Sequence, residues 1–182
     1  KFVEIKTKFE KEKEAVTNKA IDAYEAAAKN ARAEADAAGR PVYVGGSVGP
    51  TGEIMEPVGS MSHEEAVKAF AEQAHALKEG GADVLWIDTM SSEEELKAAV
   101  EGCSQADLPI VTTMSFDTNG RTMMGITPKA FGAITAALPT QPVAIGANCG
   151  VGASELIATV LGSGQLNGNA GYTVMAGYQI GF

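Results

Sequence analysis

Short apolar runs that alternate with segments of helical period predict an α/β fold built from parallel βα units. Three observations carry that prediction. The runs Val42-Tyr43-Val44, Asp83–Asp88, Pro109–Ser115 and Pro142–Ala147 read as strands, and Val84-Leu85-Trp86-Ile87 is nearly continuous, as in a strand buried on both faces. The helical segments between them have recognisable caps and stops. Each strand also runs into a polar, glycine-rich or acidic segment: Gly-Ser-Val-Gly-Pro, Asp-Thr-Met, Ser-Phe-Asp-Thr and Asn-Cys-Gly. In α/β proteins ligands sit at the C-terminal strand ends, so these four segments are expected to line one face.

Residues 2–38 precede the first strand and read as one long helix. The stretch is nearly free of breakers, rich in Ala, Glu and Lys, and stops at Gly39-Arg40-Pro41. Apolar positions Ala20, Ala23, Tyr24, Ala27, Ala28 and Ala31 form a stripe expected to pack, while the charged first turns are expected to be solvated. After Val42–Val44 comes the Gly45–Gly52 turn region. Ser62 then caps a helix, with Glu65 at the capping-box position and Gly80-Gly81 as the stop. Ser91 or Ser92 caps the next, which runs to about Ala106, and Thr127–Leu138 and Ser154–Leu161 complete the helices. In the tail, Gly162-Ser163-Gly164 and Asn167-Gly168-Asn169 are turn chemistry, and Tyr172 to Phe182 alternates as a two-sided strand. The organisation is thus 1–40, a helix; 41–161, a βα-repeat segment; and 162–182, a glycine-rich turn and strand.

The 182 residues are 45% hydrophobic, enough for an ordinary domain with its own core. No apolar run approaches the roughly 20 residues of a membrane helix, and the Lys/Glu-rich start lacks the apolar centre of a signal peptide. Net charge is −9, against nucleic-acid binding, which needs a clustered basic surface. Residues 1–39 are neutral, so the acidity lies in the remainder and suits a small zwitterionic or cationic substrate. Cys103 and Cys149 allow at most one disulfide, and an acidic chain with so few cysteines reads as reduced and cytoplasmic.

Few residues carry chemistry by pattern alone. Gly45–Gly52 has no Lys after its glycines and no adjacent helix start, which disfavours a phosphate cradle. It reads as a tight loop, or as backbone approached closely by a small ligand. Asp88 ends an apolar strand and either caps a loop or binds a substrate amine or hydroxyl. Trp86 reads as core, and Met123-Met124 as packing. Cys149 is either a small buried hydrophobe or a thiolate at the strand ends. A zinc thiolate needs partners, yet Cys103 falls in a helix, and His63 and His75 lie in another.

Several runs, in order, resemble the homocysteine S-methyltransferase family, especially its betaine–homocysteine methyltransferase and cobalamin-dependent methionine synthase branch. They are Ala31-Arg32, Gly39–Val42, Gly46–Glu53, Glu64-Glu65-Ala66, Gly80–Asp83, Trp86–Met90, Ser115–Asp117, Gly120–Gly125 and Gly146–Gly152, and they span about Asn18 to Leu161. The resemblance implies a (β/α)8 TIM barrel, here a partial barrel of about four βα units. It implies methyl transfer to the homocysteine thiol, giving methionine, with zinc as cofactor and a small methyl donor, cobalamin- or pterin-linked. By the family's pattern Cys149 is a zinc ligand. Asp88 stands where the family has a Glu on the homocysteine amino group, and Gly46, Ser47 and Asn148 belong to the substrate face. The chain departs from the pattern in two places: no Gly-Gly-Cys-Cys-Gly motif follows Cys149, and no early Asp-Gly strand is present. These departures raise a second reading, a non-catalytic domain that binds an amino-acid-like ligand or a partner subunit. Half a barrel also leaves sheet edges that invite a homo-oligomer.

Overall fold

A computed structural model describes residues 2–117, 119–150, 152, and 175–176. In chain order the elements are α1 (Phe2–Ala37), β1 (Gly45–Val48), α2 (His63–Glu79), β2 (Val84–Met90), α3 (Glu93–Ser104), β3 (Ile110–Ser115), α4 (Pro128–Ala136), β4 (Ala144–Asn148) and β5 (Met175–Ala176). The strands form one parallel sheet in the order β1-β2-β3-β4-β5. This is the expected α/β architecture. The helix expected at Ser154–Leu161 and most of the 162–182 tail lie outside the described residues.

The expected caps at Ser62 and Ser92 form, and Thr127 adds a third. The Ser62 side chain accepts from the Glu65 N–H while the Glu65 carboxylate takes the Ser62 N–H, a full capping box. Ser92 and Thr127 cap α3 and α4 through the N–H groups of Glu95 and Ala130.

Strand alternation sorts the sheet into two faces. Val48, Leu85, Ile87, Ile110, Met114, Ile145 and Ala147 pack into the core beneath the helices with Phe70, Leu77, Leu96, Val100, Phe116 and Phe131. The register puts Gly45 and Ser47, Val84, Trp86 and Asp88, Val111, Thr113 and Ser115, and Ala144, Gly146 and Asn148 on the opposite face. Trp86 therefore belongs to that second face and is half-buried, where core was expected.

Two further expectations are corrected. The first strand begins at Gly45, three residues later than the apolar run suggested, and Tyr43 is 83% exposed. The backbone at 42–44 is instead held by side chains: the Val44 N–H donates to Asp83 (2.7 Å), and Arg32 donates to the Val42 carbonyl (3.2 Å). Gly46 is a strand residue because α2 and the turn after it lie close to its Cα. A Cβ on Gly46 would stand 3.1 Å from Leu77 and 3.3 Å from Ala82. Neither Gly45 nor Gly46 has positive φ; in this region that belongs to Gly52 (φ 80°).

The docking face of α1 is also rotated from the predicted stripe. Ala20, Ala23, Tyr24, Ala27 and Ala31 are exposed, whereas Ala28 and Ala35 are buried, with Ile21, Glu25 and Arg32 half-buried on the same side. Two glycines select this face: a Cβ on Gly80 would clash with Ala28 and the Glu25 carbonyl (both 2.5 Å), and Gly81 (φ 94°) lies under the Arg32 stem. The Arg32 head then pairs with Asp83 at 2.8 Å. A charged side chain thus outcompetes alanines because its aliphatic stem packs while its head finds a partner.

Candidate functional site

The C-terminal ends of β1, β2 and β4 are joined by side-chain hydrogen bonds. Ser47 Oγ donates to Asp88 Oδ2 (3.0 Å), and Thr89 Oγ1 donates to Asp88 Oδ1 (3.0 Å). Asn148 Nδ2 donates to Thr89 Oγ1 (2.7 Å) and to Cys149 Sγ (3.2 Å). Asn148 Oδ1 accepts from Thr89 N (3.2 Å) and Thr113 Oγ1 (2.7 Å), and Ser115 Oγ donates to the Asn148 carbonyl (3.1 Å). Four expected site residues, Ser47, Asp88, Asn148 and Cys149, are thereby brought together. Gly46 is not: its Cα faces α2, on the other side of the sheet.

An irregularity in β2 shapes the site. Ile87 pairs with Thr112 and Met90 with Met114, so β2 spends three steps where β3 spends two. The extra residue lies at Asp88-Thr89, and Thr89 has φ 62°, rare for a β-branched residue. Across the sheet end, Cys149 also has φ 55°. Sequence reading did not find Thr89; the only signal was its place beside Asp88 at a strand end.

The loops above the strand ends are tied to the start of α3. Thr51 donates through N (2.7 Å) and Oγ1 (2.6 Å) to Glu95 Oε1, and Thr122 Oγ1 donates to the Ser91 carbonyl (2.7 Å). Glu95 is only 5% exposed, and its carboxylate holds the Thr51 loop. Gly150 (φ 76°) lies so close to the end of β3 that a Cβ would sit 1.9 Å from the Phe116 carbonyl.

The thiols differ sharply. Cys149 is exposed, whereas Cys103 is fully buried in α3, and burial pushes its thiol up to about 12. His63 and His75 lie on α2 in the outer helical layer, His63 paired with Glu101 at 2.9 Å. Among the described residues no group of three His, Cys, Asp or Glu side chains could hold a metal ion. Among them, too, no helix is long and apolar enough to cross a membrane.

A parallel sheet with helices along one face and polar strand ends defines the chain as a partial βα barrel. The homocysteine S-methyltransferase family matches residues 5–175, and the chain belongs to that family. It is similar to the homocysteine methyltransferase MmuM from Escherichia coli, solved in its apo form, with 26% identity and a TM-score of 0.55. That match covers 70% of this chain and 45% of the MmuM chain, so the sequence spans less than half of that structure.

Proposed function

We propose that the chain is the homocysteine-binding part of a homocysteine S-methyltransferase, which moves a methyl group from a small donor to the homocysteine sulfur and yields methionine. The observation that carries this reading is the hydrogen-bonded row Ser47–Asp88–Thr89–Asn148–Cys149 along the strand ends of a chain of this family. Each Asp88 oxygen already accepts one hydroxyl, which fixes the carboxylate and leaves acceptor capacity for the substrate ammonium. Cys149 stands exposed at the far end of the row, suited to the sulfur side of the substrate.

The family implies zinc, whose chemistry in such sites is to hold a thiolate at neutral pH. The described residues do not fit a zinc ion by themselves. Cys149 is one thiol, Cys103 lies in the helical core, and catalytic zinc takes three protein ligands. In this reading Cys149 supplies one ligand and the others come from outside this sequence. The donor is a small methylated compound, such as betaine, a cobalamin- or pterin-linked methyl group or a methylated sulfur compound, and the acidic chain with two cysteines works in the cytoplasm.

Titration calorimetry with L-homocysteine tests the reading. The wild-type chain is expected to bind, and Asp88→Asn to weaken binding at least ~10-fold, about 1.4 kcal/mol. Homocysteine binding left unchanged by both Asp88→Asn and Cys149→Ser refutes it. Chelator treatment separates the second ligand-binding reading, under which binding persists without metal and without Cys149.

A further inference from the structure

We propose that Asn148 is a positioning residue that ties together the backbone turns at Thr89 and Cys149, and so fixes the spacing between the Asp88 carboxylate and the Cys149 sulfur. The proposal rests on the functional reading above and assigns Asn148 a role other than contact with substrate.

The amide of Asn148 has no capacity left for a ligand. A primary amide offers two N–H donors and two acceptor lone pairs. Both donors are used, on Thr89 Oγ1 (2.7 Å) and Cys149 Sγ (3.2 Å), and both lone pairs are used, by Thr89 N (3.2 Å) and Thr113 Oγ1 (2.7 Å). Its orientation is fixed as well. The Thr89 backbone N–H can only donate, so the amide oxygen must face it and the nitrogen must face the sulfur. The residue is 9% exposed, at the end of β4.

What the amide holds is strained. Thr89 (φ 62°) and Cys149 (φ 55°) both occupy the left-handed region without being glycine, a conformation that persists only where the surroundings over-determine it. Thr89 has three such ties: N–H to Asn148 Oδ1, Oγ1 from Asn148 Nδ2, and Oγ1 to Asp88 Oδ1. Two of the three come from Asn148. Without them Thr89 relaxes toward extended backbone, and Asp88, next in chain and bonded to the same hydroxyl, loses its aim. On β4 the same nitrogen orients the sulfur of the next residue.

Thr89 supplies the discriminating test, because glycine takes φ 62° without help. Asn148→Ala, Asn148→Asp, Thr89→Gly and Thr89→Gly/Asn148→Ala are compared in the full chain, after thermal unfolding shows each to be folded. Two quantities are read: the affinity for L-homocysteine, and the rate of Cys149 alkylation by iodoacetamide, which native Cys103 does not contribute to because it is fully buried. Asn148→Ala is expected to weaken homocysteine at least ~10-fold and to change the alkylation rate at least ~5-fold. The double variant is expected to recover affinity to within ~3-fold of Thr89→Gly alone, which a direct contact or a general loss of packing would not allow. Should Asn148→Ala not fold, Asn148→Asp keeps both acceptor bonds, loses both donors, and is expected to change alkylation by a similar factor. An alkylation rate within ~2-fold of wild type in these Asn148 variants, or a double variant at least ~10-fold weaker than Thr89→Gly alone, overturns the proposal. A wild-type chain that fails to bind homocysteine sinks the functional reading alone, since the alkylation arm still reports on Asn148.

Discussion

Gly102 sits in the last turn of α3, packed against α2. A Cβ there would stand 2.5 Å from the Val67 carbonyl oxygen, 2.8 Å from Phe70 Cβ and 3.0 Å from Ala71 N. Two effects oppose each other in Gly102→Ala. Helix propensity favours alanine by up to about 1 kcal/mol. Overpacking costs about 1–3 kcal/mol, at its upper end here because two of the three atoms are backbone and cannot turn aside. The clash wins, and a net loss of about 1–2 kcal/mol is expected. With a urea slope of about 2 kcal/mol/M, the unfolding midpoint falls by about 0.5–1 M. Far-UV circular dichroism in urea reads this directly. A midpoint that rises, at unchanged slope, would mean that propensity outweighs contact and that α2 and α3 are not so closely packed.

Other expectations concern elements away from the strand ends. The Cys103 thiol is raised by burial from 9.0 to about 12, so the folded chain holds its proton more tightly than the unfolded one. Stability from this group is complete below about pH 9 and is lost as pH rises toward 12; the urea midpoint should fall between pH 8 and 10.5, and less so in Cys103→Ala. Glu95→Ala removes the carboxylate that accepts two bonds from Thr51, and should cost about 2 kcal/mol and speed limited proteolysis between residues 49 and 62. Unchanged cleavage there would show that the loop is held by something else. Arg32→Ala should cost about 1–2 kcal/mol, with the difference persisting in 0.5 M salt (roughly the regime of a 4–5 Å screening length) because much of it is stem packing on Gly81. A difference that vanishes with salt would reduce the contact to its ion pair.

Much of this architecture was legible because its signals are local. Ser62 with Glu65, and Ser92, are read by the backbone within one turn, and both cap as their sequences imply. Elements set by distant partners were less legible. Gly45 and Gly46 look like a loop because glycine usually marks one, and only the approach of Leu77 and Ala82 explains Gly46 within a strand. The face of α1 is decided by Gly80, Gly81 and Asp83, far along the chain from Ala28 and Arg32, and not by the alanine stripe. Trp86 reads as core in an apolar run, but strand parity turns it to the other face. At the site, strand-end position marked Asp88 and Cys149, while Ser47 and Asn148 were singled out by the family resemblance. That Asn148 spends its whole amide on neighbours, and that Thr89 is the residue it holds, emerges only when β2 and β4 are side by side.

The extra step in β2 has a consequence for how a site is added to a scaffold. Ile87 and Met90 both pack into the helical core, and they pair with Thr112 and Met114, two residues apart on β3. Were Thr89 deleted, Asp88 would fall opposite Thr113 and the methionine would still meet Met114, in uninterrupted register. The apolar side of the strand is therefore indifferent to whether the residue is present. It acts as a splice: one amino acid inserted between two core anchors, invisible to the packing, bending only the polar end of the strand. Chemistry and fold can then vary separately here, and a chain without Thr89 would keep the sheet and lose the site.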